Sequence, residues 1–247
     1  MKLLVAGDSF AQEPRIEDIE GNVHWCQLLA SANNADVNFV GLGGGDISTT
    51  TLRAISSLMN DTYTHCIFFV TDWYRDVVHI EMRDPIKRFK QYTGNLDKFY
   101  RDIKLDYTLF GRIDFQPQNK YRFTGYFNVL EPSGPSVTEL SHYLQLKADY
   151  TYIHDRLSNL SLLSAVAKQL NVDLLFVDTF NNLSSLNFPF IPEMNTFDYF
   201  KMMNTSHYKF YQQAKNLHLR SMQSHHNIEQ HENILKLFNT AYSHWLT

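Results

Sequence analysis

Cysteine is scarce: Cys26 and Cys66 are the only two in 247 residues. That excludes a disulfide framework, and their separation excludes a CxxC metal site. Cys26 follows Trp25 and Cys66 lies in an apolar run, so both read as small buried hydrophobes. An excess of one charge is missing too. Lys and Arg number 22 against 26 Asp and Glu, a net charge of −4. Nothing in that balance attracts nucleic acid. No segment approaches the ~20 apolar residues of a membrane span, and the N-terminal apolar run is well short of a signal-peptide h-region. The expectation is a cytoplasmic protein without membrane contact, with association into a viral particle as the alternative. There is no internal repeat and no low-complexity tract. What is present is a 44% hydrophobic content, enough to fill the core of one large domain.

Short apolar runs alternate with amphipathic stretches. Strands are expected at 2–6, 37–41, 65–71 and 172–178. Helices are expected at 22–33, capped by Asn22, and at 47–60 through Ile47, Leu52, Ile55 and Leu58. A long helix follows from Ile153, Leu157, Leu160, Leu163, Val166 and Leu170. The last, 228–245, places Ile228, Ile234, Leu235, Phe238, Ala241 and Trp245 on one face. Such alternation predicts a three-layer α/β/α sandwich around a parallel sheet with right-handed crossovers. Residues 84–135 do not fit that pattern. They mix charges with aromatics such as Phe89, Tyr92, Phe110, Phe115 and Tyr121 and show no period. They read as an insertion within a single domain of 1–247, capping the sheet and either lining a substrate cleft or binding a protein partner.

Chemistry is suggested first by Gly7-Asp8-Ser9, directly after the first strand. Ligands bind at the carboxyl ends of such strands, so Ser9 is either a nucleophile or a helix cap. A nucleophilic serine needs a base and oxyanion donors. Among 11 histidines, His225 and His226 stand immediately before the last helix, where Asn227 and Gln230 form a capping-box-like start. The run Gly43-Gly44-Gly45 allows close backbone approach. A zinc site through His225, His226 and His231 lacks a fourth ligand and a known spacing.

Taken in order, "LLVAGDSFA", "VHWCQLLASANNADVNFVGLGGGDIS", "HCIFFVTDWYR" and "SHHNIEQHENIL" resemble the blocks of the SGNH/GDSL hydrolase superfamily. The resemblance covers the ends and core of the chain and leaves about 84–150 unmatched. It implies the flavodoxin-like SGNH hydrolase fold and an esterase acting on an O-acyl or O-acetyl ester, as a small molecule or on carbohydrate, without metal or organic cofactor. It makes Ser9 the nucleophile and an oxyanion donor through its N–H, Gly45 the second donor with Gly44 as the alternative, and His225 the base with His226 as the alternative. Two positions depart from the family. Asp72 stands where the family's donor Asn belongs, and an ionised carboxylate cannot donate. The hydroxyl of Thr71 could donate instead, and phage-type members resemble this T-x-x-x-R form, which ends here at Arg75. Met222 replaces the acid three residues before the base, which leaves a Ser–His dyad or a carboxylate recruited from elsewhere. The rival reading is a weak or inactive scaffold that binds a protein partner through 84–135, for example in a viral particle.

Overall fold

The computed structural model describes residues 1–12, 23–42, 45–71, 75–81, 108–116, 120–125, 149–179, 187–188, 191–209, 228–243 and 245. The chain forms two compact units, one of Met1–Trp73 with Ile153–Thr247 and one of Tyr74–Tyr152.

In the first unit, Leu3, Leu4, Val5 and Ala6 are apolar on both faces and fully buried, as a strand covered on both sides requires. They form β1 (Lys2–Gly7), followed by α1 (Trp25–Ala32), β2 (Asp36–Phe39), α2 (Ile47–Asn60) and β3 (His65–Val70). The second unit contains β4 (Arg75–Glu81), β5 (Thr108–Gln116) and β6 (Lys120–Gly125), an antiparallel sheet in that order. The segment 84–135 lies within this unit. The first unit resumes at Ile153, within α3 (Asp149–Gln169), and continues through β7 (Asp173–Asp178), the hairpin of β8 (Asn187–Phe188) and β9 (Ile191–Asn195), α4 (Thr196–Met203), β10 (Ser206–Lys209) and α5 (Ile228–Ala241).

Its main sheet has the order β2-β1-β3-β7-β10, all parallel, with Gly7 opposite Phe69 and Val70 opposite Asp178. This is the flavodoxin-like order, whose ligand crevice lies outside the carboxyl ends of the strands. Leu3, Val5, Ile67, Phe69, Leu175 and Val177 face α1 and α5, where Trp25, Leu29, Ile234 and Phe238 are buried. On the other face Phe176 packs on Phe200 of α4, the Tyr199 hydroxyl donates to the Leu157 carbonyl of α3, and Arg156 of α3 donates to Ser48 of α2. The result is a three-layer α/β/α sandwich.

The strands expected from sequence are present, and the helices differ in detail. α1 is capped by His24, not Asn22. The His24 Nδ1 accepts the Cys26 N–H at 3.1 Å, and Gln27 Oε1 accepts the His24 N–H at 2.8 Å, so the cap is reciprocal. On α2 the buried face is Ile47, Thr50, Thr51, Ala54 and Leu58, while Leu52 is 57% exposed. Thr50 can occupy a core position because its hydroxyl donates to the Asp46 carbonyl at 2.6 Å. Leu170 lies past the end of α3 and is exposed, as is Ala241 at the end of α5. β10 escaped the sequence reading because Ser206-His207-Tyr208-Lys209 is a short polar edge strand with no apolar run.

Candidate active site

Ser9 opens a single 3-10 turn, Ser9–Ala11, at the carboxyl end of β1. The turn follows from two sequence features. Gly7 has φ +132°, and a Cβ there would lie 2.4 Å from the Phe69 carbonyl oxygen, so only glycine fits. Asp8 is fully buried and its carboxylate accepts the Phe10 N–H at 3.0 Å, capping the turn. The Asp8 carbonyl accepts from Ala11 N–H, and the Phe10 carbonyl accepts from the His24 ring at 2.8 Å. Half-buried Ser9 itself is left unengaged: neither its hydroxyl nor its N–H has a partner among the described residues.

The glycine loop runs beside this turn. Leu42 N–H donates to the Gly7 carbonyl at 2.9 Å, and Gly41 approaches the Ala11 backbone so closely that a Cβ would lie 2.4 Å from its carbonyl carbon. Gly45 is buried, and its N–H donates to the Leu42 carbonyl at 3.0 Å, closing a tight turn. Asp46 then caps α2, accepting the Thr49 N–H at 2.7 Å. Behind the loop, buried Arg156 sets one guanidinium nitrogen 2.5 Å from Ser48 Oγ and another 3.8 Å from the Asp46 carboxylate.

Thr71 follows the last residue of β3. In the β1–β3 register Gly7 pairs with Phe69, so Ser9 and Thr71 each lie two residues past that pair at the same sheet edge. Thr71 is 1% exposed, and its hydroxyl has no partner among the described residues. Asp178 ends β7 at this edge, buried, with a carboxylate oxygen 3.6 Å from His207 Nε2 of β10. Arg156, Asp178 and His207 belong to none of the sequence motifs. The visible signal for Asp178 was a polar residue closing the apolar run Leu174–Val177 at the carboxyl end of a strand.

His225, His226, Met222, Gly44 and Asp72 lie outside the described residues. His231 lies in α5, buried, with its Nδ1 accepting the Trp25 N–H at 3.3 Å. Among the described residues no cluster of His, Cys, Asp or Glu could hold a metal ion, and no helix is long and apolar enough to cross a membrane. Burial pushes both cysteine thiols up, which removes them as rival nucleophiles near neutral pH.

No protein-family model matches the chain, and no curated protein matches it. Solved structures do resemble it. The psychrotrophic esterase EstA from Pseudoalteromonas sp., in a structure inhibited by monoethylphosphonate, is 12% identical over 99% of this chain and 98% of that one, with a TM-score of 0.51. Axe2, an acetylxylan esterase from Geobacillus stearothermophilus, is 10% identical over 97% of this chain and 92% of its own, with a TM-score of 0.49. At such identity the likeness to EstA shows a shared fold.

Proposed function

We propose that this chain is a serine ester hydrolase with Ser9 as its nucleophile. The observation that carries the reading is the state of Ser9. Its neighbours' backbone groups are held by Asp8 and His24, while its own hydroxyl and N–H have no partner among the described residues at the carboxyl edge of a parallel sheet. A serine serving only as a cap would use its oxygen on a backbone N–H. Here Asp8 does the capping. The esterase activity named for EstA supports the same chemistry.

In this reading Ser9 Oγ attacks the ester carbonyl while His225, or alternatively His226, takes its proton. The developing oxyanion is met by the Ser9 N–H and the Thr71 hydroxyl. Because Gly45 commits its N–H to Leu42, the further amide donor falls to Gly44. The protonated histidine then gives its proton to the departing alcohol. Water, deprotonated by the same histidine, attacks the acyl–serine bond, and the acid leaves with Ser9 restored. With Met222 in the place of the usual acid, the imidazole is oriented by a backbone carbonyl or by a carboxylate from elsewhere, for which Asp178 is the candidate. O-acyl and O-acetyl esters, small or carbohydrate-borne, are the substrate class. The 84–135 segment contributes to recognising the larger ones. Deleting it should then reduce turnover of an acetylated oligosaccharide more than that of p-nitrophenyl acetate, and equal effects on both would remove its role.

The test of the whole reading is covalent labelling by a fluorophosphonate. Wild type should carry one adduct on Ser9, and Ser9→Ala should carry none. A folded wild type that takes up no probe and turns over no acetyl ester would leave the partner-binding scaffold as the better account. Asp72 and Met222 are the residues that favour that alternative.

A further inference from the structure

The Ser9 turn is tied to the rest of the molecule through His24, which is 4% exposed. Two hydrogen bonds of the imidazole fix its state by their directions. Nδ1 accepts the Cys26 N–H at 3.1 Å, so it carries no proton, and Nε2–H donates to the Phe10 carbonyl at 2.8 Å. A second buried histidine repeats half of this arrangement. His231 of α5 accepts the Trp25 N–H through its own Nδ1 at 3.3 Å, and the two rings lie 4.9 Å apart. Two neutral imidazoles thus cap successive amides at the start of α1. They join the nucleophile turn at one end of the chain to the first turn of α5 at the other. A hydroxyl or amide would cap α1 equally well. The second bond, to the carbonyl beside Ser9, is the one that capping does not explain.

We propose that His24 is a positioning residue for ester hydrolysis: its Nε2–H holds the Phe10 carbonyl and so fixes the aim of Ser9 Oγ and the Ser9 N–H. The proposal rests on the reading of Ser9 as nucleophile. It requires the imidazole to stay neutral. A proton on Nδ1 would face the Cys26 N–H and the positive end of the α1 dipole, breaking the cap and loosening the tether. Among the described residues, the titratable groups on the elements around His24 are Asp8 from the turn, Cys26 from α1, Asp36 from β2, His65 and Cys66 from β3, and Glu229, His231, Glu232 and Lys236 from α5, with Asp36, the two glutamates and Lys236 exposed. β2 and β3 meet the ring with Phe39 and Phe69, at 5.2 and 5.9 Å between centroids.

Two substitutions separate the cap from the tether. His24→Asn keeps an oxygen at the capping position but cannot reach Phe10. His24→Gln places an amide N–H near the Nε2 position and does not titrate. In fluorophosphonate labelling, His24→Asn should slow adduct formation on Ser9 about tenfold or more, since small displacements of a reacting group act on the chemical step. With p-nitrophenyl acetate the same variant should lower kcat and leave KM within about twofold. His24→Gln should recover most of the rate. A His24→Asn protein that melts as wild type does and labels at the wild-type rate would overturn the proposal. So would a His24→Gln protein no faster than His24→Asn, which would reduce His24 to packing. Hydrogen exchange keeps the two readings apart. If wild type never labels, the nucleophile reading fails, while faster exchange of the Ala11 and Gln12 amides in His24→Asn, with α1 still protected, would still support the tether. Unchanged exchange would remove the tether as well.

Discussion

Gly7 and Thr71 show how differently two residues at one sheet edge are constrained. Gly7 combines φ +132° with a Cβ position 2.4 Å from a backbone oxygen, and neither conflict can relax without moving β3. Gly7→Ala should therefore destabilise the protein by at least about 2 kcal/mol, read from urea unfolding. Thr71 is constrained by chemistry instead. A buried hydroxyl with no partner among the described residues opposes folding, so Thr71→Val, of nearly the same shape, should leave stability unchanged or raise it by about 1 kcal/mol. If the hydroxyl donates to the oxyanion, the same variant should lose about 10²-fold in kcat with little change in KM. Steady-state kinetics and urea unfolding on one protein sample check both halves. A valine variant that is more stable and fully active would remove Thr71 from the site.

At the scale of elements, α2 and α3 are joined by charge where the sheet faces are joined by apolar packing. The Arg156 guanidinium lies at the N-terminus of α2, where the helix dipole disfavours a cation. The Asp46 carboxylate and Ser48 Oγ offset this. A buried pair of this kind adds little over an apolar substitute, but removing one partner is severe. Asp46→Asn keeps a good helix cap and discards the charge, so a loss of about 3 kcal/mol in urea unfolding would isolate the ion-pair contribution. A loss no larger than that of an exposed substitution would mean that the hydroxyl and its neighbours suffice. The pair also borders the loop that ends at Gly45. The same variant should therefore lower ester turnover by more than its unfolded fraction explains.

For the molecule as a whole, the amino-edge residue His65 links stability to pH. It starts β3, between β1 and β7, with its ring edge-on to Trp245 at 4.9 Å. Burial lowers its pKa below the ordinary 6.5, and the Asp173 carboxylate, 3.7 Å away, opposes that shift without cancelling it. The folded protein therefore holds this ring neutral at pH values where the unfolded chain has already taken up a proton. Stability from this group is complete above about pH 6.5 and declines as pH falls through the lower folded value. Urea midpoints for wild type should drop between pH 7.5 and pH 5, by more than those of His65→Gln. Equal drops would assign the acid sensitivity to other groups.

Elements that are apolar on both faces can be read directly from the residue pattern. β1, β3 and β7 were legible because a strand buried on both sides needs an unbroken apolar run. The Gly7-Asp8-Ser9 break was legible because glycine and a short acceptor side chain are what a sharp strand-to-turn transition requires. Hydrophobic spacing also located α1, α2, α3 and α5, while assigning Leu52 to the wrong face of α2, since Thr50 can bury a hydroxyl that bonds to its own helix. Tertiary structure decided what depends on partners distant in the chain. His24 caps α1 and reaches the Ser9 turn, Arg156 meets an aspartate more than a hundred residues away, and Asp178 arrives beside His207. None of these leaves a periodic signal, because a polar side chain becomes buried only when a distant segment supplies its hydrogen bond.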